Sequence, residues 1–232
     1  VTDAMVGFNP DEEYVYVSVG SETWIIGKIR LEEFMKEAKM EDYKVLKTVK
    51  GSEFEGKKYT HPLLGNISGL EKMSKQENYH ITIAEKFVDV NAGTGIVHLS
   101  PANGEDDYNI AMKRKVEIFS PIDDEVKFTE DAGKYAGMFV RDADEEIVRD
   151  VKEKNALVRI GKIKHKYPLC WRSKHKLVWL ARREYFYMLD RLDDKAINAA
   201  QKVEYFFDQP KNRFLKIIKE KHPWCISRER FW

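Results

Sequence analysis

The sequence predicts an α+β fold: a β-barrel-like body of mostly antiparallel strands with helices around it, then a helical connector. Three observations predict it. Runs of β-branched and aromatic residues alternate apolar with polar near the N-terminus. Apolar residues recur at helical spacing in separate, charged stretches. From Met188 onward the strand character gives way to helical periodicity.

The elements follow in order. Tyr14–Val19 (YVYVSV) has period two and strong β-formers, and Gly20-Ser21 turns it into a second strand at Thr23–Ile26. Leu31, Phe34, Met35 and Ala38 mark a helix over 30–39. Tyr43–Lys50 is a strand closed by Gly51-Ser52, and Glu53–Lys58 is a loop or short helix before Tyr59–Pro62. Ile81–Val90 is strand-like, and Gly95–Leu99 is a short apolar strand. Glu105–Lys113 is a helix with Asn103 as its N-cap candidate, and Asp144–Asn155 is a helix with Ile147, Val148 and Val151 on one face. Leu157–Lys164 and Lys176–Ala181 read as strands around a basic loop. Leu189–Val203 and Asn212–Lys221 read as two helices linked by a Gln209-Pro210 break. The boundary falls between a strand-rich body at 1–185 and the connector at 186–232.

At 232 residues, 43% hydrophobic and 34% charged, the chain can bury a core and stay soluble. No run of about 18 apolar residues predicts a membrane span, and the N-terminus has no signal-peptide pattern. The absent initiator Met and the Arg230-Phe231-Trp232 end suggest an excised piece. Cys170 and Cys225 are the only cysteines and read as free thiols of a reducing, cytoplasmic compartment. The net charge of +1 hides an asymmetry. Acids dominate Asp123–Glu153, whereas every charged residue from Arg159 to Arg183 is basic, with Trp171 and Trp179 interleaved. Such a stretch suits a nucleic-acid backbone with stacking on bases, or, more blandly, a solvated strand pair. Lys174, Lys176, Arg182 and Arg183 are its candidate RNA contacts.

The chemistry concentrates in Gly93–Tyr108 (GTGIVHLSPANGEDDY). Gly93-Thr94-Gly95 is a tight turn that lets a ligand approach the backbone. His98 sits in the next strand, Ser100-Pro101 end it, and Asn103-Gly104 turn into a helix carrying Asp106 and Asp107 in its first turn. A carboxylate beside a strand-end histidine and exposed amides suits an ammonium and a carbonyl. Taken singly, an acid there is a good dipole partner and a strand histidine is commonly structural.

The whole string resembles the motif GTGxVHxAPGHGxxD(Y/F) of the editing domain of isoleucyl-tRNA synthetases. Gly93, Thr94, Gly95, Val97, His98, Pro101, Gly104, Asp107 and Tyr108 match. Pro121-Ile-Asp123, Phe128–Val140, His165–Arg172 (HKYPLCWR) and Trp224–Arg230 (WCISRER) continue the resemblance colinearly. It implies a class I aminoacyl-tRNA synthetase segment that hydrolyses mischarged Val-tRNA(Ile) at the ester with a positioned water. Asp107, His98 and Thr94 would carry the reaction. Asp107 anchors the α-ammonium, His98 sizes the side chain, and Thr94 lies against the terminal ribose or ester. Gly93, Gly95, Ser100, Pro101, Asn103 and Tyr108 would line the substrate. One methylene gives only about 1–3 kcal/mol of discrimination, which is why a second sieve is needed. The implied partners are the acceptor end of tRNA(Ile), a small aminoacyl ester and the catalytic domain of the same polypeptide, with no membrane. No metal or cofactor is implied for editing; ATP and Mg belong to the catalytic domain. A valyl- or leucyl-type editor and a tRNA-binding module without editing are the alternatives.

Departures accompany the match. Ala102-Asn103-Gly104 stands where the family has GHG, and of the Thr-rich peptide that precedes this region in the family only Thr2 remains. Lys72-Met-Ser-Lys75 is similar to the adenylation loop KMSKS, but its position before the motif marks it as a coincidence. Cys170-Trp-Arg-Ser173 lacks the second thiol of a CxxC pair.

Overall fold

The structure, a computed structural model, describes residues 1–161, 164, 166–220 and 223–228. His165, Lys221, Arg230, Phe231 and Trp232, named above, lie outside the described residues. The chain forms two compact units, Val1–Ala181 and Arg182–Trp232.

In the first unit the strands are β1 (Met5–Phe8), β2 (Glu13–Val19), β3 (Glu22–Gly27), β4 (Lys44–Lys50), β5 (Ile81–Ala84) and β6 (Val97–Leu99). Its helices are α1 (Leu31–Ala38), α2 (Ser68–Met73), α3 (Glu105–Arg114) and α4 (Asp144–Glu153). One sheet has the order β3-β2-β4, all antiparallel, with a register shift at Tyr16/Val17. Its inner face, Val15, Val17 and Ile26, packs on Met35 of α1. The other sheet has the order β5-β1-β6, with β1 parallel to β5 and antiparallel to β6. Met5, Ile83 and Leu99 from this sheet bury against Leu70, Ile110 and Tyr135. Phe8, Tyr14, Phe54 and Val90 join the two sheets, with Phe8 and Phe54 stacked 4.0 Å apart.

The mixed α+β class agrees with the sequence, but the strands do not close into a barrel. Among the described residues they form separate ribbons of three, three and two strands. β1 was not foreseen, because four residues buried almost throughout give no alternation to read. The strand expected over Ile81–Val90 is limited to Ile81–Ala84. No strand forms at Leu157–Lys164 or Lys176–Ala181 among the described residues, where a single Leu169–Lys176 bridge remains. Ile160, 65% exposed, shows why: alternating Lys supplies a polar face, but among the described residues the apolar one is left uncovered.

The second unit holds β7 (Phe186–Tyr187) paired with β8 (Trp224–Cys225), and α5 (Asp193–Gln201) packed with α6 (Asp208–Glu220). Gln209-Pro210 is not a break between helices but the start of α6. Pro210 stands in the first turn, where an N–H has no acceptor to lose. No helix among the described residues is long and apolar enough to cross a membrane.

Candidate functional site

The antiparallel pairing of β1 with β6 brings the residues before β1 beside those after β6. Met5 faces Leu99, and Ala4 donates its N–H to the Leu99 carbonyl at 2.9 Å. Thr2 therefore meets Ser100, hydroxyl to hydroxyl at 2.5 Å. Asn103 closes the triangle, its Oδ1 lying 2.8 Å from each hydroxyl oxygen, so the two hydroxyl protons are shared among three contacts. Its Nδ2 donates to the Trp179 carbonyl at 2.7 Å. Asn103 is thus not the helix cap: Gly104 holds that position, without a side-chain cap.

Asp107 is the third residue of α3, and its Oδ2 accepts the Ser100 main-chain N–H at 2.8 Å. Oδ1 has no hydrogen bond among the described residues. Glu105, Asp106 and Asp107 together meet the positive end of the helix dipole. Gly104 makes room for the carboxylate. A Cβ there would stand 2.9 Å from Asp107 Oδ2.

His98 lies in the middle of β6 opposite Val6, with its side chain 76% exposed. It is open to solvent and not enclosed in a side-chain pocket. Its Nδ1 is 3.8 Å from Oδ1 of Asp3, a residue that the sequence did not single out. Asp3 is largely buried, and its Oδ2 accepts the Tyr59 hydroxyl at 2.5 Å. Oδ1 is buried without a hydrogen-bond partner among the described residues. Burial pushes the Asp3 carboxyl up to about 6, against the pull of the Tyr59 hydrogen bond and of His98, while the charge of Asp107 pushes the same way as burial. The available signal was an acid directly before the apolar run Ala4–Phe8.

Behind Asp3 lies an aromatic and imidazole cluster. The His80 ring sits 5.3 Å from Tyr59, 5.4 Å from His61 and 5.0 Å from Tyr79. Burial lowers His61 to about 3, so it is neutral, and its Nδ1 accepts the Leu63 N–H at 3.1 Å. Burial, then the charge of Asp3, raises Tyr59 well above the ordinary phenol value.

The structure does not bring Thr94 to this group. The Gly93–Gly95 turn precedes β6, at the opposite end of the strand from Ser100, and its carbonyls are tied to the other sheet and the turn that follows it. Thr94 O accepts from Gly27 N at 2.7 Å, Gly95 O from the Tyr14 hydroxyl at 2.9 Å and Gly93 O from Arg30 Nε at 3.1 Å. Gly95 is required there, with φ +74 and its missing Cβ 3.2 Å from Gly27 Cα. Pro101 is buried beside Ser100, whereas Tyr108 points outward, 41% exposed.

The basic stretch turns at Cys170–His175, closed by Cys170 N–H to His175 O at 2.8 Å. Trp171 and Trp179 are about two-thirds exposed, at 67% and 66%, and the Arg172 guanidinium stands 4.9 Å from the Trp171 ring. Lys174 and Lys176 are exposed there; Arg182 and Arg183 are exposed at the start of the second unit. Lys72 of the KMSK string lies on α2 and pairs with Asp131 at 3.5 Å.

A family model described as tRNA synthetases class I (I, L, M and V) matches residues 24–232. The chain belongs to the class I tRNA synthetases. Among curated members, the isoleucine–tRNA ligase of Methanocaldococcus jannaschii is 40% identical over 240 residues, covering 100% of this chain and 23% of that protein. The isoleucine–tRNA ligase of Sulfolobus acidocaldarius is 39% identical over 231 residues, covering 99% of this chain and 22% of that protein. The chain thus spans less than a quarter of the length of these synthetases. The crystal structure of GlLeuRS-CP1 shares the fold, with a TM-score of 0.52 at 15% identity, covering 71% of this chain and 80% of that one.

Proposed function

We propose that this synthetase segment is an editing module that hydrolyses the ester of mischarged Val-tRNA(Ile). The observation that carries the reading is the seat of Asp107. One carboxylate oxygen is fixed by the Ser100 N–H and the other is left for a ligand, which suits an α-ammonium. His98 stands nearby on β6 with its ring open to an incoming ester. The relatives named isoleucine–tRNA ligase support the amino acid family, and the likeness to GlLeuRS-CP1 supports the fold. Ser100 and Asn103, engaged with Thr2 and with each other, form the wall next to the Asp107 seat, and the Gly93–Gly95 turn, at the far end of β6, is left for the ribose side. In this reading ATP and Mg serve the catalytic part of the longer enzyme, and a positioned water does the hydrolysis here. The test is release of valine from Val-tRNA(Ile), run against Thr-tRNA(Val). Faster turnover of the first supports the reading. Preference for the second makes it a valyl-type editor.

A second reading, tRNA binding without hydrolysis, draws on the exposed tryptophans and lysines of the Cys170–His175 turn. Tight binding of tRNA(Ile) with no deacylation would favour it.

A further inference from the structure

We infer that Asp3 and His98 are an orienting pair: the buried Asp3 carboxylate holds the imidazole with Nδ1–H turned inward, leaving Nε2 open to take a proton from the attacking water. The inference rests on the hydrolytic reading for its catalytic half only.

The geometry makes the case. Asp3 Oδ1 is buried with no hydrogen-bond partner among the described residues, and a charged oxygen in that state is costly unless a donor reaches it. The nitrogen that faces it is His98 Nδ1, at 3.8 Å, close enough for an ion pair and a small ring movement away from a hydrogen bond. The carboxylate is not free to turn away, because Oδ2 is held by the Tyr59 hydroxyl at 2.5 Å. Tyr59 in turn packs on His80, whose main-chain N–H is fixed to the Ala4 carbonyl at 2.8 Å. The His98 side chain is 76% exposed, so its other nitrogen is reachable from solvent. A histidine with one nitrogen donating to a carboxylate presents the other as a lone-pair base.

The groups that face Asp3 come from every neighbouring element. The Val1 ammonium lies two residues before it, Tyr59 is in the segment before α2, Tyr79 and His80 precede β5, His98 is on β6, and Asp107 is on α3. Burial and Asp107 raise the Asp3 carboxyl, so it loses its charge near pH 6.

In the step itself, the water oxygen bonds to the ester carbonyl carbon while a water proton passes to His98 Nε2. The tetrahedral intermediate collapses, the carbonyl carbon to ribose oxygen bond breaks, and the imidazolium returns the proton to the ribose oxygen. One water is consumed; a free amino acid and a free ribose hydroxyl result. His98 is the catalytic residue and Asp3 a positioning residue.

The first test is independent of activity. The ¹⁵N shifts of the His98 ring at pH 8 are expected to show the Nδ1–H tautomer in the unaltered protein and a move toward Nε2–H in Asp3→Asn. An Nε2–H ring in the unaltered protein would overturn the pair without needing any variant. The second test is kinetic: in deacylation of Val-tRNA(Ile), Asp3→Asn should lower kcat about a hundredfold with KM within about twofold. The acid limb of its kcat–pH profile should lose the protonation of Asp3 near pH 6. An unchanged kcat and pH profile would overturn the catalytic role. If the unaltered protein shows the Nδ1–H tautomer yet hydrolyses nothing, the editing reading fails, the catalytic half falls with it, and the orienting pair stands.

Discussion

Asp107 Oδ2 accepts the main-chain N–H of Ser100 at 2.8 Å, which ties the first turn of α3 to the end of β6. The tie fixes where a negative charge stands without using the whole carboxylate. Asp107→Asn keeps an oxygen for Ser100 and removes the charge. We expect kcat/KM for Val-tRNA(Ile) to fall about 30- to 300-fold, on the order of 2–3 kcal/mol for a charge-assisted contact, with little change in melting temperature. Activity within threefold of the unaltered protein would remove Asp107 from ammonium recognition.

Gly104 tests the same seat from the backbone. Its φ of −141 is open to any residue, so Gly104→Ala strains nothing locally. The added Cβ would lie 2.9 Å from Asp107 Oδ2 and 3.0 Å from its Cγ, and the carboxylate must shift. Deacylation should drop about tenfold or more while stability changes by about 1 kcal/mol or less. A crystal structure of the variant with Asp107 unmoved would refute this account.

Much of this was legible in the sequence, and what was not has identifiable causes. The hairpin of β2 and β3 was readable because Tyr14–Val19 alternates small apolar residues on one face with Tyr and Ser on the other, followed by a Gly-Ser turn. α1 and α4 were readable because charged faces set off their apolar stripes. The place of Asp107 in the first turn of α3 was readable because an acid after Asn-Gly has a local signature, whereas its role came only from the resemblance. Asp3 was not, because its importance comes from Tyr59 and His98, which lie 56 and 95 residues away and are brought near by the sheet. Asn103 read as a cap for the same reason. Its amide is claimed by Thr2, Ser100 and Trp179, all tertiary partners. Thr94 looked close to Asp107 along the string, yet β6 runs between them.

The buried groups near β1 predict a pH signature. Asp3 has its folded value raised from 3.8 to about 6, so between those values the folded state holds an extra proton and stability falls as pH rises. His61 has its folded value lowered from 6.5 to about 3, so the unfolded state holds the extra proton and stability rises with pH. From about pH 4 to 6 the two slopes oppose each other. Asp3→Asn removes one of them, and its stability should rise with pH more steeply than that of the unaltered protein by about 1.4 kcal/mol per pH unit in that window. Urea denaturation at half-unit pH steps measures it. Parallel curves would contradict the assignment of Asp3 as the proton-binding group.

Asp150 anchors α4 to the body and is 2% exposed. Its Oδ1 accepts from Lys134 at 2.5 Å, and its Oδ2 accepts from the Tyr135 hydroxyl at 2.6 Å and from Asn66 at 2.9 Å. The Lys134 hydrogen bond, then that of Tyr135, holds the carboxyl below the usual range. A depressed value stabilises the fold above the ordinary carboxylate pKa and loses that contribution as pH falls through the folded value. Asp150→Ala leaves Tyr135 and Asn66 without an acceptor and should cost about 3 kcal/mol. Chemical denaturation of the variant checks it, and a loss under about 1 kcal/mol would mean that these contacts contribute little.

The exposed turn at Cys170–His175 separates electrostatic from stacking contributions to RNA binding. Lys174 and Lys176 offer charge, and Trp171 offers a ring with the Arg172 guanidinium 4.9 Å away. If the turn meets tRNA, Lys176→Ala weakens binding at every sequence and lowers the slope of log affinity against log salt by about 1, the share of one phosphate contact. Trp171→Ala should instead cost about 1–3 kcal/mol with the salt slope unchanged, because stacking releases no counterions. Filter binding over a salt series distinguishes the two. Equal affinities for both variants and the unaltered protein would show that this turn makes no contact with tRNA.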